Sequence, residues 1–250
     1  MIVFLKLLLA HLLGDFVLQP EAWIEDRDQR KVRSVYLYLH VTVHFLLLII
    51  ITGDIHFWKL ALIASVFHYF IDLGKVYLQS AAAPSSGKWS GRQTLFFIDQ
   101  ALHIATLILV WSLYTGHNID IAFVHNTKFF PLLTAFVFIT KPASVIIKTV
   151  LSGWRPGPQT DGQTTLTTVM NAGELIGYIE RILTLIMMLN GRWDAIGFLV
   201  AAKSVLRIGD LRNDREKNLT EYILIGTLLS FGIAIITGIA VNALLTAVEI

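Results

Sequence analysis

The apolar residues of this chain come in eight continuous runs, at about 2–19, 35–52, 57–79, 94–115, 128–151, 171–190, 194–209 and 220–246. A helix that crosses a bilayer needs roughly 20 mostly apolar residues. The runs do not alternate, which argues against a strand barrel, and backbone in lipid must otherwise be helical. The expected fold is therefore all-α, a polytopic transmembrane helical bundle of about eight spans. The seventh run is the shortest and most polar. Charged residues make up 15% of the 250, against ~25% in a soluble domain. That argues against a soluble enzyme and against a disordered chain.

A net charge of +2 is too weak to suggest nucleic acid as a partner; membrane lipids are the expected surroundings. The chain has no cysteine, so disulfides and thiolate metal sites are excluded. Any metal must be held by His, Asp or Glu. The apolar N-terminus carries His11 and Asp15 and lacks a small-residue cleavage site, so it reads as a retained helix.

Polar connections punctuate the runs. Segment 20–34 is charged, with Trp23 and Ile24 on one side, and suits a short interfacial helix. Segments 81–92 and 152–168 are loops rich in Pro, Ser and Gly. The polar stretch 116–128 divides the chain into halves, 1–116 and 117–250, of four spans each. Odd-numbered connections hold ten basic residues, Arg27, Arg30, Lys31, Arg33, Lys88, Arg92, Arg155, Arg212, Arg215 and Lys217. Even-numbered ones hold three, Lys59, Lys128 and Arg192. Basic residues accumulate on the cytoplasmic side. The expected placement is multi-pass in the inner membrane, with both termini facing away from the cytoplasm.

Each of the first four spans carries a pair of ligand-type residues at i, i+4: His11/Asp15, His40/His44, His68/Asp72 and Asp99/His103. Residues four apart share a helix face, so each pair can point into a bundle centre. Counted from the inferred cytoplasmic ends, Asp15, His40, Asp72 and Asp99 form a layer ~8–10 Å deep at ~1.5 Å per residue. His11, His44, His68 and His103 form a second layer ~15 Å deep. Independent placement would not produce two matched layers. The pattern also repeats: HLLGD, loop, HVTVH in the first hairpin answers HYFID, loop, DQALH in the second. Two hairpins of one orientation predict a four-helix bundle with pseudo-twofold symmetry along the membrane normal. Such bundle cores can hold metals on carboxylates and histidines.

Each intramembrane Asp costs roughly 2.5–3.5 kcal/mol on insertion scales. Divalent cations compensate this directly by turning carboxylates and imidazoles into ligands. The eight residues are therefore expected to bind one or two divalent transition ions, zinc first, with manganese or iron as alternatives. A metal-free proton relay is the competing reading. Lys75, three residues after Asp72, is placed to pair with an Asp or to contact an anionic substrate. Gln100 and Gln19 suit hydrogen bonds to the ligands. Lys203 and Arg207 in the seventh span are expected to pair with acids, Lys203 with Glu180. The sharper alternative is that both bind a substrate head group. Gly173, Gly177, Gly232 and Gly238 read as helix-packing positions.

The segments HLLGDFVLQ at 11–19, HxxxH at 40–44, HxxxDxxK at 68–75 and DQxxH at 99–103 resemble a bacterial integral-membrane family of unassigned function. It is the domain-of-unknown-function family numbered 3307. The resemblance covers most of 1–110, and GELIGYIERIL with the segments after it looks like a C-terminal part of such proteins. It implies a membrane location and a polytopic helical structure, and it supplies no substrate. A looser likeness, in residue type only, links the His/Asp set to membrane-embedded metal-dependent hydrolases.

The resulting expectation is a metalloprotein with hydrolase-type chemistry. Metal-activated water would attack an ester, amide or phosphoester of a lipid-like substrate at the cytoplasmic leaflet. One of Asp15, Asp72 and Asp99 would act as general base instead of ligand, with Lys75 assisting. The alternatives are a proton- or metal-ion transporter and a structural metal staple. Oligomeric state is not legible.

Overall fold

The structure is a computed structural model that describes residues 1–81, 91–115, 128–154, 163–205 and 214–248. Among the described residues all regular structure is helical. The helices are α1 (Ile2–Leu12), α2 (Glu21–Arg30), α3 (Val35–Thr52), α4 (Trp58–Ala81), α5 (Gly91–Thr115) and α6 (Phe129–Ile139). They continue with α7 (Lys141–Leu151), α8 (Gln163–Leu189), α9 (Trp193–Val205) and α10 (Asp214–Val248). The chain forms two compact units, Met1–Thr134 and Ala135–Ile250.

Five segments are long and apolar enough to cross a membrane: Val35–Thr52, Ile55–Ser80, Gly91–Thr115, Phe129–Leu151 and Glu221–Thr246. A sixth arises if Ile2–Val17 and Glu21–Arg33, bent by 82°, count as one broken span. Among the described residues, then, five or six segments are candidate spans by length and composition, against the eight runs of the sequence. Glu174, Glu180 and Arg181 interrupt the apolar run of α8.

In the first unit α1, α3, α4 and α5 close a ring, with α1 packed on α3 and α5, and α4 on α3 and α5. The buried residues of α3 are Leu37, His40, His44, Leu48 and Thr52. That is one stripe at helical spacing, polar in its middle. Leu46, Ile50, Phe70, Leu102 and Leu109 face outward and are exposed. Apolar outside with polar inside is the arrangement that lipid, and not water, stabilises.

One end of the ring is an apolar core of Leu7, Ala10, Leu48, Phe57, Ala61, Ala64, Leu107, Val110 and Tyr114. Buried Lys6 serves this end: its Nζ donates to Thr52 O at 2.8 Å and lies over the Phe130 ring. A cation on the last carbonyls of α3 is placed favourably against the helix dipole. Gly53, at φ 70°, then ends α3, and its N–H returns to Ile49 O. The left-handed turn there needs glycine.

In the second unit α10 packs along α8 and α7. A Cβ on Gly238 would stand 2.4 Å from Met188 Cγ, so this close approach of α10 to α8 requires glycine. Gly173 and Gly232 meet nothing within 4 Å, which removes the packing role expected of them. The chain breaks at Thr140, between α6 and α7, before Pro142. Buried Arg181 repairs the break. Its guanidinium donates to Ile139 O, Thr140 O, Ser144 Oγ and Ser230 Oγ. The carbonyls freed at the end of α6 are thus satisfied where water is scarce.

Candidate metal centre

The end of the ring opposite the apolar core holds all eight residues of the i, i+4 pairs. All except Asp15 are no more than 4% exposed, and the Asp15 side chain is 10% exposed. Antiparallel neighbours bring the C-terminal ends of α1 and α4 beside the N-terminal ends of α3 and α5, so each helix contributes its own pair.

Asp15 lies in a π-helical turn, Leu13–Val17, that extends α1, with Leu18 N–H bonded to Leu13 O at 2.8 Å. Single π turns in α-helices are frequent at functional sites. Asp15 Oδ1 stands 2.8 Å from His44 Nε2, 3.3 Å from His40 Nε2 and 3.5 Å from His68 Nε2. Asp15 Oδ2 is 3.8 Å from His11 Nε2. The Nε2 atoms of His40 and His68 are 3.0 Å apart. A tetrahedral zinc with ligand bonds of 2.0–2.1 Å has ligand–ligand edges of about 3.3 Å. The separations around Asp15 bracket that value. Despite the 2.8 Å approach, Asp15 Oδ1 and His44 Nε2 lack hydrogen-bond geometry and have no other partner among the described residues.

Three groups of ligand atoms can hold an ion: His11, Asp15, His44 and His68; His40, His68 and Asp72; and Asp72, Asp99 and His103. The other two carboxylates differ from Asp15 in having a cation. Arg27 Nη1 donates to Asp72 Oδ2 at 3.0 Å, and Lys75 Nζ to Asp99 Oδ2 at 2.7 Å. Gln100 bridges the set. Its Oε1 is 3.4 Å from His11 Nε2, and its Nε2 donates to Asp99 Oδ2 at 3.1 Å and Asp15 Oδ2 at 3.5 Å. A cavity of about 20 Å³ adjoins the cluster, lined by His11, His44, His68, His103 and Ser65 among others. That is room for about one water. Ser65 Oγ and both ring nitrogens of His103 are buried there without a partner among the described residues.

Comparison with known families matches residues 3–130 to the family described as "Protein of unknown function (DUF3307)". The chain belongs to the DUF3307 family. The match spans the whole His/Asp bundle and stops before the C-terminal segment. No curated protein and no solved structure matches the chain.

In this DUF3307 protein three residues of the centre escape sequence reasoning. Arg27 reads as one more charge in a polar connection, yet α2 folds back and buries it at 5% exposure. Trp23 stacked on Tyr36 and Ser34 Oγ donating to Asp26 at 2.6 Å hold α2 in place. Ser65 lies three residues before His68, a same-face spacing that could have flagged it. Gly14 carries no chemistry, but a Cβ there would stand 2.3 Å from His44 Nε2 and 2.4 Å from Cε1. Only a bare backbone lets the imidazole reach Asp15. Gly14→Ala is therefore expected to displace His44 and weaken metal binding by at least about tenfold. Gly74→Ala on α4, with nothing within 4 Å, leaves metal binding unchanged. Metal titration of the two purified variants makes the comparison.

In the second unit Lys203 pairs with Glu180, and Glu174 with Lys148. Lys203 is thus engaged in an ion pair. Arg207 lies outside the described residues.

Proposed function

We propose that the DUF3307 bundle is the metal centre of a membrane hydrolase that cleaves an ester, amide or phosphoester of a lipid-like substrate at the cytoplasmic leaflet. One observation carries the reading: a cavity of about 20 Å³ adjoins four histidines of the buried cluster, His11, His44, His68 and His103. A structural metal site closes its ligand sphere, whereas a catalytic one keeps a position for water. A divalent ion, zinc first and manganese or iron next, would supply water activation and polarise a substrate oxygen there.

The chain's own groups take definite parts in this reading. Asp15 and the histidines around it hold the ion. Ser65 Oγ offers a hydrogen bond inside the cavity. Lys75 stays with Asp99, its side chain 16% exposed, as the nearest cation for an anionic substrate group. The basic residues of connections 20–34 and 81–92, namely Arg27, Arg30, Lys31, Arg33, Lys88 and Arg92, support a centre that faces the cytoplasm in the inner membrane. Ionisable residues in a membrane also serve transport, so the test separates the two.

Detergent-purified protein is assayed for metal by plasma mass spectrometry, then screened on fluorogenic lipid esters, amides and phosphoesters with and without chelator. Bound transition metal with chelator-sensitive cleavage is expected. Metal or proton flux in proteoliposomes without cleavage would transfer the site to a transporter.

A further inference from the structure

We infer that the pseudo-twofold bundle binds a single ion, on the Asp15 side, and that Arg27 and Lys75 act as permanent counter-cations that take the place of a second. The inference rests on the metal reading above and fixes its stoichiometry. The sequence repeat is nearly symmetric: His11 answers His68, Asp15 answers Asp72 and His44 answers His103, while His40 answers Asp99. Symmetry of that kind suggests two equivalent ions. The side-chain geometry is not symmetric.

Asp72 and Asp99 each hold a basic side chain within 3.0 Å, and both carboxylates are buried to 3% exposure or less. Among the described residues, Asp15 meets only imidazoles and the Gln100 amide. Three carboxylates and two cations leave one net negative charge, and it resides on Asp15. One divalent ion changes that balance to a single positive charge. Two would leave three positive charges in a buried centre, where little water is at hand to screen them.

The two compensated carboxylates then act as supports. Asp99 Oδ1 lies 3.8 Å from His103 Nδ1 and Asp72 Oδ2 3.6 Å from His40 Nε2. Neither distance is a hydrogen bond, so these carboxylates act on the neighbouring rings through their charge. Arg27 and Lys75 are positioning residues in this arrangement. Arg27 also ties α2 to the bundle across 45 residues of sequence.

The test is a stoichiometric titration of the metal-stripped, detergent-purified full chain with Co²⁺. Bound cobalt is read by plasma mass spectrometry and by the visible bands of the coordinated ion. Wild type is expected to saturate at one equivalent. Asp72→Asn and Asp99→Asn are expected to keep that equivalent with affinity lowered about 10- to 100-fold, the range typical of outer-shell partners. Two tight equivalents in wild type would overturn the inference and leave the metal reading intact. No bound cobalt would overturn the metal reading itself. The wild-type count does not depend on whether any variant folds. Complete loss of cobalt from folded Asp72→Asn or Asp99→Asn, with helical content retained by circular dichroism, would also overturn the inference.

Discussion

An Asp15→Asn variant is expected to lose divalent-ion binding while the helical bundle persists. The carboxylate sits within 2.8–3.8 Å of four imidazoles and, among the described residues, has no Arg or Lys beside it. Asn keeps the shape and one carbonyl acceptor but removes the charge that a cation needs. Affinity is expected to fall by more than 100-fold. The stability readout has an informative sign. An ion at about 100 times its Kd stabilises the folded state by about 2.7 kcal/mol. That increment disappears in the variant. The metal-stripped variant is expected to be at least as stable as metal-stripped wild type, because an uncompensated buried carboxylate has been neutralised. Thermal unfolding in detergent, with and without added Zn²⁺, measures both quantities. A full metal-induced shift in Asp15→Asn would refute the placement of the ion.

Arg27→Met is expected to be the most destabilising change at the centre for reasons unrelated to metal. Its side chain and that of Asp72 are 7% and 3% exposed. Removing one partner of such a pair strands the other, at a cost of roughly 3–5 kcal/mol. The double variant Arg27→Met/Asp72→Asn should recover most of that loss, since no charge is then left unpaired. Arg30→Met is the control. Arg30 also pairs with an acid, Asp26, but is 69% exposed, and exposed pairs contribute ~0–1 kcal/mol. Reversible unfolding in mixed micelles ranks the three. Equal effects of Arg27→Met and Arg30→Met would show that Arg27 is not buried against Asp72 in the membrane protein.

Much of the first unit can be read in the sequence because a helix has one periodicity and a bilayer has one depth axis. His11/Asp15 and His68/Asp72 occupy single faces at a common depth, and the bundle brings those faces together. The second unit shows where that logic fails. Run length alone counts α8 as a span, yet Glu174, Glu180 and Arg181 set it apart from the others. Arg181 reads as one more charge in a run. Its use, satisfying the carbonyls of a chain break 42 residues earlier, depends on how α8 packs on α7.

The order and spacing of residues determined that this chain is helical, that its first four long segments carry ligands on matched faces, and that no sulfur takes part. These are properties of single helices, and local periodicity encodes them. Which carboxylates gain a basic partner was decided only in three dimensions. Arg27 arrives from a folded-back interfacial helix, Lys75 reaches across to α5, and a π turn with a bare Gly14 lets His44 meet Asp15. Periodicity records the face and depth of each residue along its own axis. It holds no record of which cation another segment will bring to that depth, and that pairing separates Asp15 from Asp72, which the repeat makes equivalent.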